Sequence, residues 1–303
     1  MIIGIALNPA SGKGRAAKYR NQLLKVTNEY PVEVRWLTGN SAQDSLSQMK
    51  AAVSSREVDA LVVVGGDGMI HLGVAAVADS GIPLGIVAAG SGNDIAREFK
   101  LPIHRIEDSL HQVIVALFAN RFYRADAIEI ESNSGKHYAM AVVSLGIDAD
   151  INLRTNKMTW PKGNLRYIRA MIPAIREYRP YGVQIKSEQL NYRGTMTLLS
   201  VANTRFFGGG ICIAPDAKPN DGWLDVILAK GMSVSRVASK LPKLARAMHT
   251  TDADIDHIRV KELFLAADTE VGQHPPSLMA DGEYVCDLPA VVRVLPQVVK
   301  LAL

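Results

Sequence analysis

Ala60-Leu61-Val62-Val63-Val64-Gly65-Gly66-Asp67-Gly68 is an apolar strand that runs into three glycines set around one acid. Similar apolar runs stand at residues 2–7, 32–37 and 84–87, and segments of helical period at 18–28 and 41–54 lie between them. Strands alternating with helices in this way predict parallel βα units. From Tyr123 the pattern changes to short runs of alternating polarity at 124–130, 137–143, 183–185, 195–202 and 224–228, each bounded by turn residues. That pattern predicts an antiparallel β region. Two basic amphipathic helices, over 165–178 and 234–248, interrupt it and should lean on its sheet. No internal repeat or low-complexity linker intervenes, so the two regions should join near residues 120–126.

Composition sets outer bounds. A chain of 303 residues exceeds one compact core, which predicts two domains of about 100 to 200 residues each. Apolar residues at 48% and charged residues at 21% exclude a disordered or fibrous chain. The net charge of +4 is a mild bias toward polyanions or acidic membrane surfaces. Cys212 and Cys286 have no paired spacing, so neither a disulfide framework nor a cysteine zinc site is indicated, and a reducing cytoplasm is the expected home. Met1 to Leu7 carries no basic n-region and reads as a strand, not a signal peptide. Residues 69–93 are interrupted by Asp79, Pro83 and glycines, which a spanning helix would not carry, so any membrane is expected to be touched from outside. The seven histidines show no ligand spacing, Gly90-Ser91-Gly92 is not G-x-S-x-G, and no basic stretch is interleaved with aromatics. Zinc chemistry, serine hydrolysis and nucleic-acid binding are therefore unsupported.

Three glycine turns follow predicted strands: Asn8-Pro9-Ala10-Ser11-Gly12-Lys13-Gly14, Gly65-Gly66-Asp67-Gly68 and Gly90-Ser91-Gly92-Asn93-Asp94. Such strand-to-helix turns let backbone N–H groups converge on phosphate oxygens. Each alone fits an ordinary tight turn better; three in consecutive units favour a polyphosphate. The first turn lacks the G-x-x-x-x-G-K-[ST] spacing, and no G-x-G-x-x-G with a downstream acid is present, which disfavours both common nucleotide folds. Carboxylates of Asp67 and Asp94 among phosphate-binding amides make chemical sense when Mg²⁺ bridges them. A Mg·nucleotide site is the expectation.

The order of these motifs, continued by Ala96-Arg97, Gly146-Ile147-Asp148-Ala149, Ala202-Asn203, Gly208-Gly209-Gly210, Ala214-Pro215, Asp221-Gly222 and Asp281-Gly282-Glu283, resembles the diacylglycerol kinase catalytic family of soluble bacterial lipid kinases over essentially the whole chain. The resemblance implies an α/β protein: an N-terminal three-layer α/β nucleotide domain, residues 1–123, followed by an antiparallel β-sandwich-like domain with helices, residues 124–290, with 291–303 returning to the first. Met69, His71 and Leu72 depart from the family's Gly-Gly-Asp-Gly-Thr-x-Asn-Glu. The Gly-Gly-Asp-Gly turn is shared with NAD kinases and phosphofructokinase-like enzymes, so it marks the superfamily and not the acceptor.

Residue by residue, the resemblance implies that Asn8, Pro9, Ala10, Ser11, Gly12, Gly65, Gly66, Gly68 and Ser91 line the triphosphate of ATP. It places Thr38 near the base or ribose, where a plain strand terminus fits equally. Asp67 would hold the catalytic Mg²⁺, directly or through water, supported by Asp94, which also reads as a helix N-cap. Glu283 resembles the family's base; without the resemblance it reads as an exposed acid beside an Asp-Gly hairpin turn. Asp221 with the carbonyls of Lys218 and Trp223 would hold a structural Mg²⁺, although Asn220-Asp221-Gly222 is a hairpin signal by itself. Arg166, Arg169, Arg176 and Arg179 flank Leu165, Ile168, Met171, Ile172 and Ile175, the composition of a helix resting on an anionic bilayer or of a core helix with a solvated basic face. The expected activity is transfer of the γ-phosphoryl group of ATP to diacylglycerol or a related lipid in phospholipid metabolism. A kinase of a soluble acceptor and a non-catalytic nucleotide-binding protein stay open. The expected partners are a diacylglycerol-like lipid at a membrane surface and a second copy of the chain, in the cytoplasm or at the inner membrane face.

Overall fold

The computed structural model describes residues 1–7, 15–158, 160 and 165–303, which form two units: Met1–Ala127 with Pro296–Leu303, and Ile128–Leu295. The Asn8 to Gly14 turn lies outside the described residues. Unit one runs β1 (Ile2–Leu7), α1 (Arg15–Thr27), β2 (Glu33–Trp36), α2 (Ala42–Ser54), β3 (Ala60–Gly65), α3 (Asp67–Val77), β4 (Leu84–Ala88), α4 (Asp94–Glu98) and α5 (Ile106–Phe118). Its strands are parallel in the order β2-β1-β3-β4. Every residue of β3 and β4 is buried, so both faces of the sheet must be covered. Leu23 and Val26 of α1 pack with Leu110 and Val113 of α5 on Ile3, Ile5, Val62 and Val64. The other face carries α3, whose Gly73 lies against Val63 and Leu84, with α2 packed beside it. Ser41 caps α2 by accepting the Asp44 N–H at 3.1 Å.

Unit two contains β5 (Tyr123–Ser132, beginning in unit one), β6 (Gly135–Ala139), β7 (Val142–Gly146), α6 (Ile147–Lys157), α7 (Leu165–Glu177), β8 (Tyr181–Lys186), β9 (Asn191–Ala202), β10 (Phe206–Phe207), β11 (Ile211–Cys212), β12 (Leu224–Lys230), α8 (Val234–Ala245), β13 (Ile255–Val260), β14 (Glu262–Ala267), β15 (Leu278–Ala280), β16 (Glu283–Cys286) and β17 (Ala290–Ala302). Its main sheet is antiparallel, in the order β16-β15-β7-β9-β8-β14-β17. β9 is central: it pairs β8 through Asn191–Met196 and both β7 and β12 through its second half. β17 begins antiparallel to β14 and ends with Leu301 and Ala302 parallel to β4, so its last residues complete the first unit's sheet. Within unit one the buried Asp126 carboxylate accepts the N–H of Gln297 at 2.8 Å, holding that residue in its left-handed conformation.

Residues 137–143 do not form one strand, as alternation predicts. The chain breaks at Met140 and Ala141 because a distant carboxylate, Asp281, takes their amides from sheet pairing. Asn220-Asp221-Gly222 turns the chain without joining two paired strands, since β12 pairs with β9 and β13. Both amphipathic helices form, and α7 sets Ala170 and Ala174 into the core. Its Leu165 and Ile172 remain 61% exposed. α8 is tied to the segment after it: Lys240 and Lys243 reach Asp252 at 2.6 and 2.7 Å, and Arg236 reaches Asp254 at 2.8 Å. Among the described residues no helix is long and apolar enough to cross a membrane.

Two outcomes follow from these contacts. A Cβ at Gly85 would lie 2.4 Å from Val113 Cγ1, so Gly85→Ala should cost about 1–3 kcal/mol in denaturant unfolding, and Val113→Ala should recover part of the loss in the double variant. Lys240, then Lys243, then the Asp254 N–H hold the Asp252 carboxyl well below the usual carboxylate range. Its folded pKa lies below its unfolded one, so this attachment is fully present above about pH 4 and is lost as pH falls through the folded value. Hydrogen exchange across α8 should stay protected from neutrality down to that pH and rise only in stronger acid, and Asp252→Asn should raise it already at pH 7.

Candidate functional site

In a parallel sheet the turns that can meet a ligand lie at the carboxyl ends of the strands. Leu7 pairs with Val64 and Gly65 with Ala88, so β1, β3 and β4 end side by side. The turns after β3 and β4 touch through their backbones: a Cβ at Gly90 would lie 2.3 Å from Gly66 Cα. Gly66 and Gly90 are therefore required first by main-chain contact. Asn93, in the left-handed region, closes the second turn by accepting the Gly90 N–H at 2.9 Å and donating to the Gly90 carbonyl at 2.7 Å. The Gly90 amide is thus committed within the chain, and Ser91 stands exposed at the tip.

Asp67 opens α3, and its Oδ1 accepts the N–H of Ile95 at 3.0 Å, at the start of α4. One carboxylate is so placed in the first turn of two helices, where negative charge is favoured. Asp94 is not the N-cap of α4: Asn93 holds that position, and the Asp94 carboxylate pairs instead with Arg97 at 2.5 Å. Thr38 is exposed, and its hydroxyl accepts the Leu7 N–H at 3.1 Å beside the end of β1. Met69 is buried in α3. Asp67 offers the hard oxygen chemistry that Mg²⁺ takes, in a backbone cradle with no room for side chains, and so fits as the residue to hold a nucleotide's metal. Asp94, neutralised by Arg97, fits a supporting place.

In unit two, Asp281 and Gly282 have φ of 52° and 85°, the two positive values of a tight hairpin turn, and join β15 to β16. The Asp281 carboxylate accepts three amides, from Met140 at 2.9 Å, Ala141 at 2.8 Å and Val142 at 3.2 Å. Asn203 donates to the Met140 carbonyl at 2.8 Å, and Asn156 of α6 donates to the Gly282 carbonyl at 2.9 Å. The motifs around 203 and 281 and the far end of α6 therefore meet at one place. Glu283, the next residue, is exposed on a turn that is bonded on three sides.

The same unit carries a half-open cavity of about 400 Å³ whose walls include Ile151 of α6, Ile175 of α7, Leu198 of β9, Ile227 of β12 and Leu241 and Leu244 of α8. Most polar groups around it have partners in the protein, while the buried His249 Nδ1 has none among the described residues. Thr197 bonds Tyr178 and the Lys230 carbonyl, Lys240 is held by Asp252, and His249 Nε2 donates to the Ile213 carbonyl at 2.7 Å. Burial pushes the His249 pKa down, so its ring stays neutral in that wall. Asp148, 2% exposed in the first turn of α6, brings the cavity's one carboxylate among its lining residues. In the sequence Asp148 stands in Gly146-Ile147-Asp148-Ala149 with no role attached, and its signal is an acid following directly on the apolar run from Val142 to Ile147.

The implied structural metal fits less well. Asp221 Oδ1 accepts the Trp223 N–H at 3.1 Å, and Oδ2 is taken by the Arg259 guanidinium. Among the described residues no group of three or more His, Cys, Asp or Glu could hold a metal.

The chain matches the diacylglycerol kinase catalytic domain over residues 3–130 and the YegS C-terminal NAD kinase beta sandwich-like domain over residues 141–303. It is 30% identical to a diacylglycerol kinase of Mycobacterium tuberculosis over 97% of this chain and 92% of that one, and 26% identical to a diacylglycerol kinase of Bacillus subtilis over 94% and 90%. A crystal structure of a putative diacylglycerol kinase from Bacillus anthracis superposes with a TM-score of 0.79 at 19% identity, covering 99% of this chain and 94% of that one. With a parallel unit bearing contacting glycine turns, a β unit holding an apolar cavity, and whole-length relatives of one kind, this chain belongs to the diacylglycerol kinase catalytic-domain family of lipid kinases.

Proposed function

We propose that the chain transfers the γ-phosphoryl group of ATP to the hydroxyl of diacylglycerol or a closely related lipid. The cavity of about 400 Å³ in the β unit carries this reading. A soluble sugar or dinucleotide acceptor would leave its polar groups facing aliphatic wall without partners, at a cost of roughly 1–3 kcal/mol for each, whereas acyl chains gain by entering it. α7, with Leu165 and Ile172 exposed beside Arg169, supports contact of that unit with an anionic bilayer surface.

Phosphoryl transfer asks the protein for position and for management of charge. The turns after β3 and β4 hold the polyphosphate by backbone N–H groups, and Asp67 would hold its metal. A Mg²⁺ held there would supply neutralisation of the polyphosphate's negative charge. Glu283 orients the lipid hydroxyl and accepts its proton as the oxygen bonds to the γ-phosphorus and the bond to the bridging oxygen breaks, releasing ADP. Asp281 and Asn156 fix the turn that presents Glu283, and Asp148 lies at the cavity wall to accept a hydrogen bond from the lipid's polar end.

ADP release in mixed micelles should depend on added diacylglycerol and stay at background with glycerol or NAD; equal turnover of a soluble alcohol would end the lipid reading. Glu283→Gln should lower kcat by about 10²- to 10⁴-fold with ATP affinity nearly unchanged. Ile175→Trp, which fills part of the cavity, should raise KM for a long-chain diacylglycerol on the order of tenfold while leaving KM for ATP alone, and a short-chain analogue should be less affected.

A further inference from the structure

The segment Asp216-x-Lys218-x-x-Asp221-x-Trp223-x-Asp225 resembles a divalent-cation turn, yet its neighbours in the fold are basic. β13 runs antiparallel to β12 with Leu224 opposite Val260, Asp225 opposite Arg259 and Ile227 opposite His257. Side chains two apart on a strand share a face, so His257, Arg259 and the following Lys261 alternate onto the side that meets the acids. His257 Nε2 contacts Asp225 Oδ1 at 2.6 Å. Arg259 Nη2 pairs with Asp221 Oδ2, and its guanidinium carbon sits 5.4 Å from the centroid of the Trp223 ring. Lys261 Nζ lies over the same ring at 5.0 Å. The remaining Asp221 oxygen accepts the Trp223 N–H at 3.1 Å, closing an Asx turn in which Gly222 has φ of 73°.

We propose that the Arg259 guanidinium stands where a divalent cation would close the Asp221 turn, so that the β unit of this chain folds and keeps its geometry without bound metal. A cation entering at Asp221 would displace a guanidinium bonded to the carboxylate and stacked on Trp223, and would then sit beside Arg259 and Lys261, with Asp225 Oδ1 already held by His257. Mg²⁺ gives up its water reluctantly and needs near-octahedral oxygen ligands, whereas Arg brings a pre-shaped fork already tethered to the neighbouring strand. Any Mg²⁺ requirement of this protein then belongs to the nucleotide alone.

The test uses the full chain without nucleotide, so it reads independently of kinase activity. Thermal unfolding of the wild type should give the same Tm in excess EDTA and in millimolar MgCl₂, because an ion that does not bind the native state cannot stabilise it. Arg259→Met, which keeps the aliphatic stem over Trp223, should lower Tm, and MgCl₂ should now recover part of the loss; Arg259→Lys should fall between. Equilibrium dialysis of the wild type against Mn²⁺ provides a measurement that survives an unfolded variant, and it should show no saturable binding below millimolar concentration. A saturable wild-type rise in Tm with Mg²⁺ that Asp221→Asn abolishes, one Mn²⁺ held per chain, or an Arg259→Met variant as stable as the wild type would each overturn the assignment.

Discussion

Strands that are apolar on both faces leave the backbone only their ends at which to be polar. In β3 and β4 every residue is buried, so main-chain groups inside the sheet are spent on the ladder and the chain can meet a charged ligand only where the strands stop. The parallel order β2-β1-β3-β4 brings the ends of β1, β3 and β4 side by side. The turns are crowded against one another there, to the point that Gly66 and Gly90 touch through their backbones. That crowding explains the glycines more directly than a phosphate does, and it lets one side chain, Asp67, bond the start of α4 from the start of α3.

The β unit solves the opposite problem. Its cavity is apolar because the polar groups in its wall have been turned toward the protein, Thr197 to Tyr178, Lys240 to Asp252 and His249 to Ile213. An unmade hydrogen bond in such a wall costs more than a made one returns, and His249 Nδ1 is a buried atom there without a partner among the described residues. Around it, charge is handled by local pairing: α8 is tethered through Asp252 and Asp254, Arg293 gathers Glu129, Glu131 and Glu262, and Arg259 meets Asp221. Basic residues that look free for a partner in the linear chain are largely spoken for on α8, while α7 carries the exposed Leu165 and Ile172.

Much of this was legible beforehand. The strands of the first unit, its helices at 18–28 and 41–54 and both amphipathic helices of the second unit form close to where periodicity predicts them, because hydrophobic period and strand or helix geometry are the same constraint. The Asp281-Gly282 turn adopts the two left-handed residues that Asp-Gly favours. Missed were the break at Met140, the pairing of Asp94 with Arg97 in place of a cap, and the place of Asp148. The first is decided by a partner about 140 residues away, and the other two by the burial of the side chain.

By itself, then, the amino-acid order determined the class of each segment, the parallel and antiparallel regions, and the glycine turns, since these depend on local period and on which residues tolerate positive φ or close approach. Only the tertiary structure decided which carboxylates are available for chemistry. Asp221 is taken by Arg259, Asp94 by Arg97 and Asp281 by three amides, and these partners lie 38, 3 and about 140 residues away along the chain. A charge's role depends on the nearest opposite charge or donor in space, and for Asp221 and Asp281 that neighbour exists only once the strands have paired.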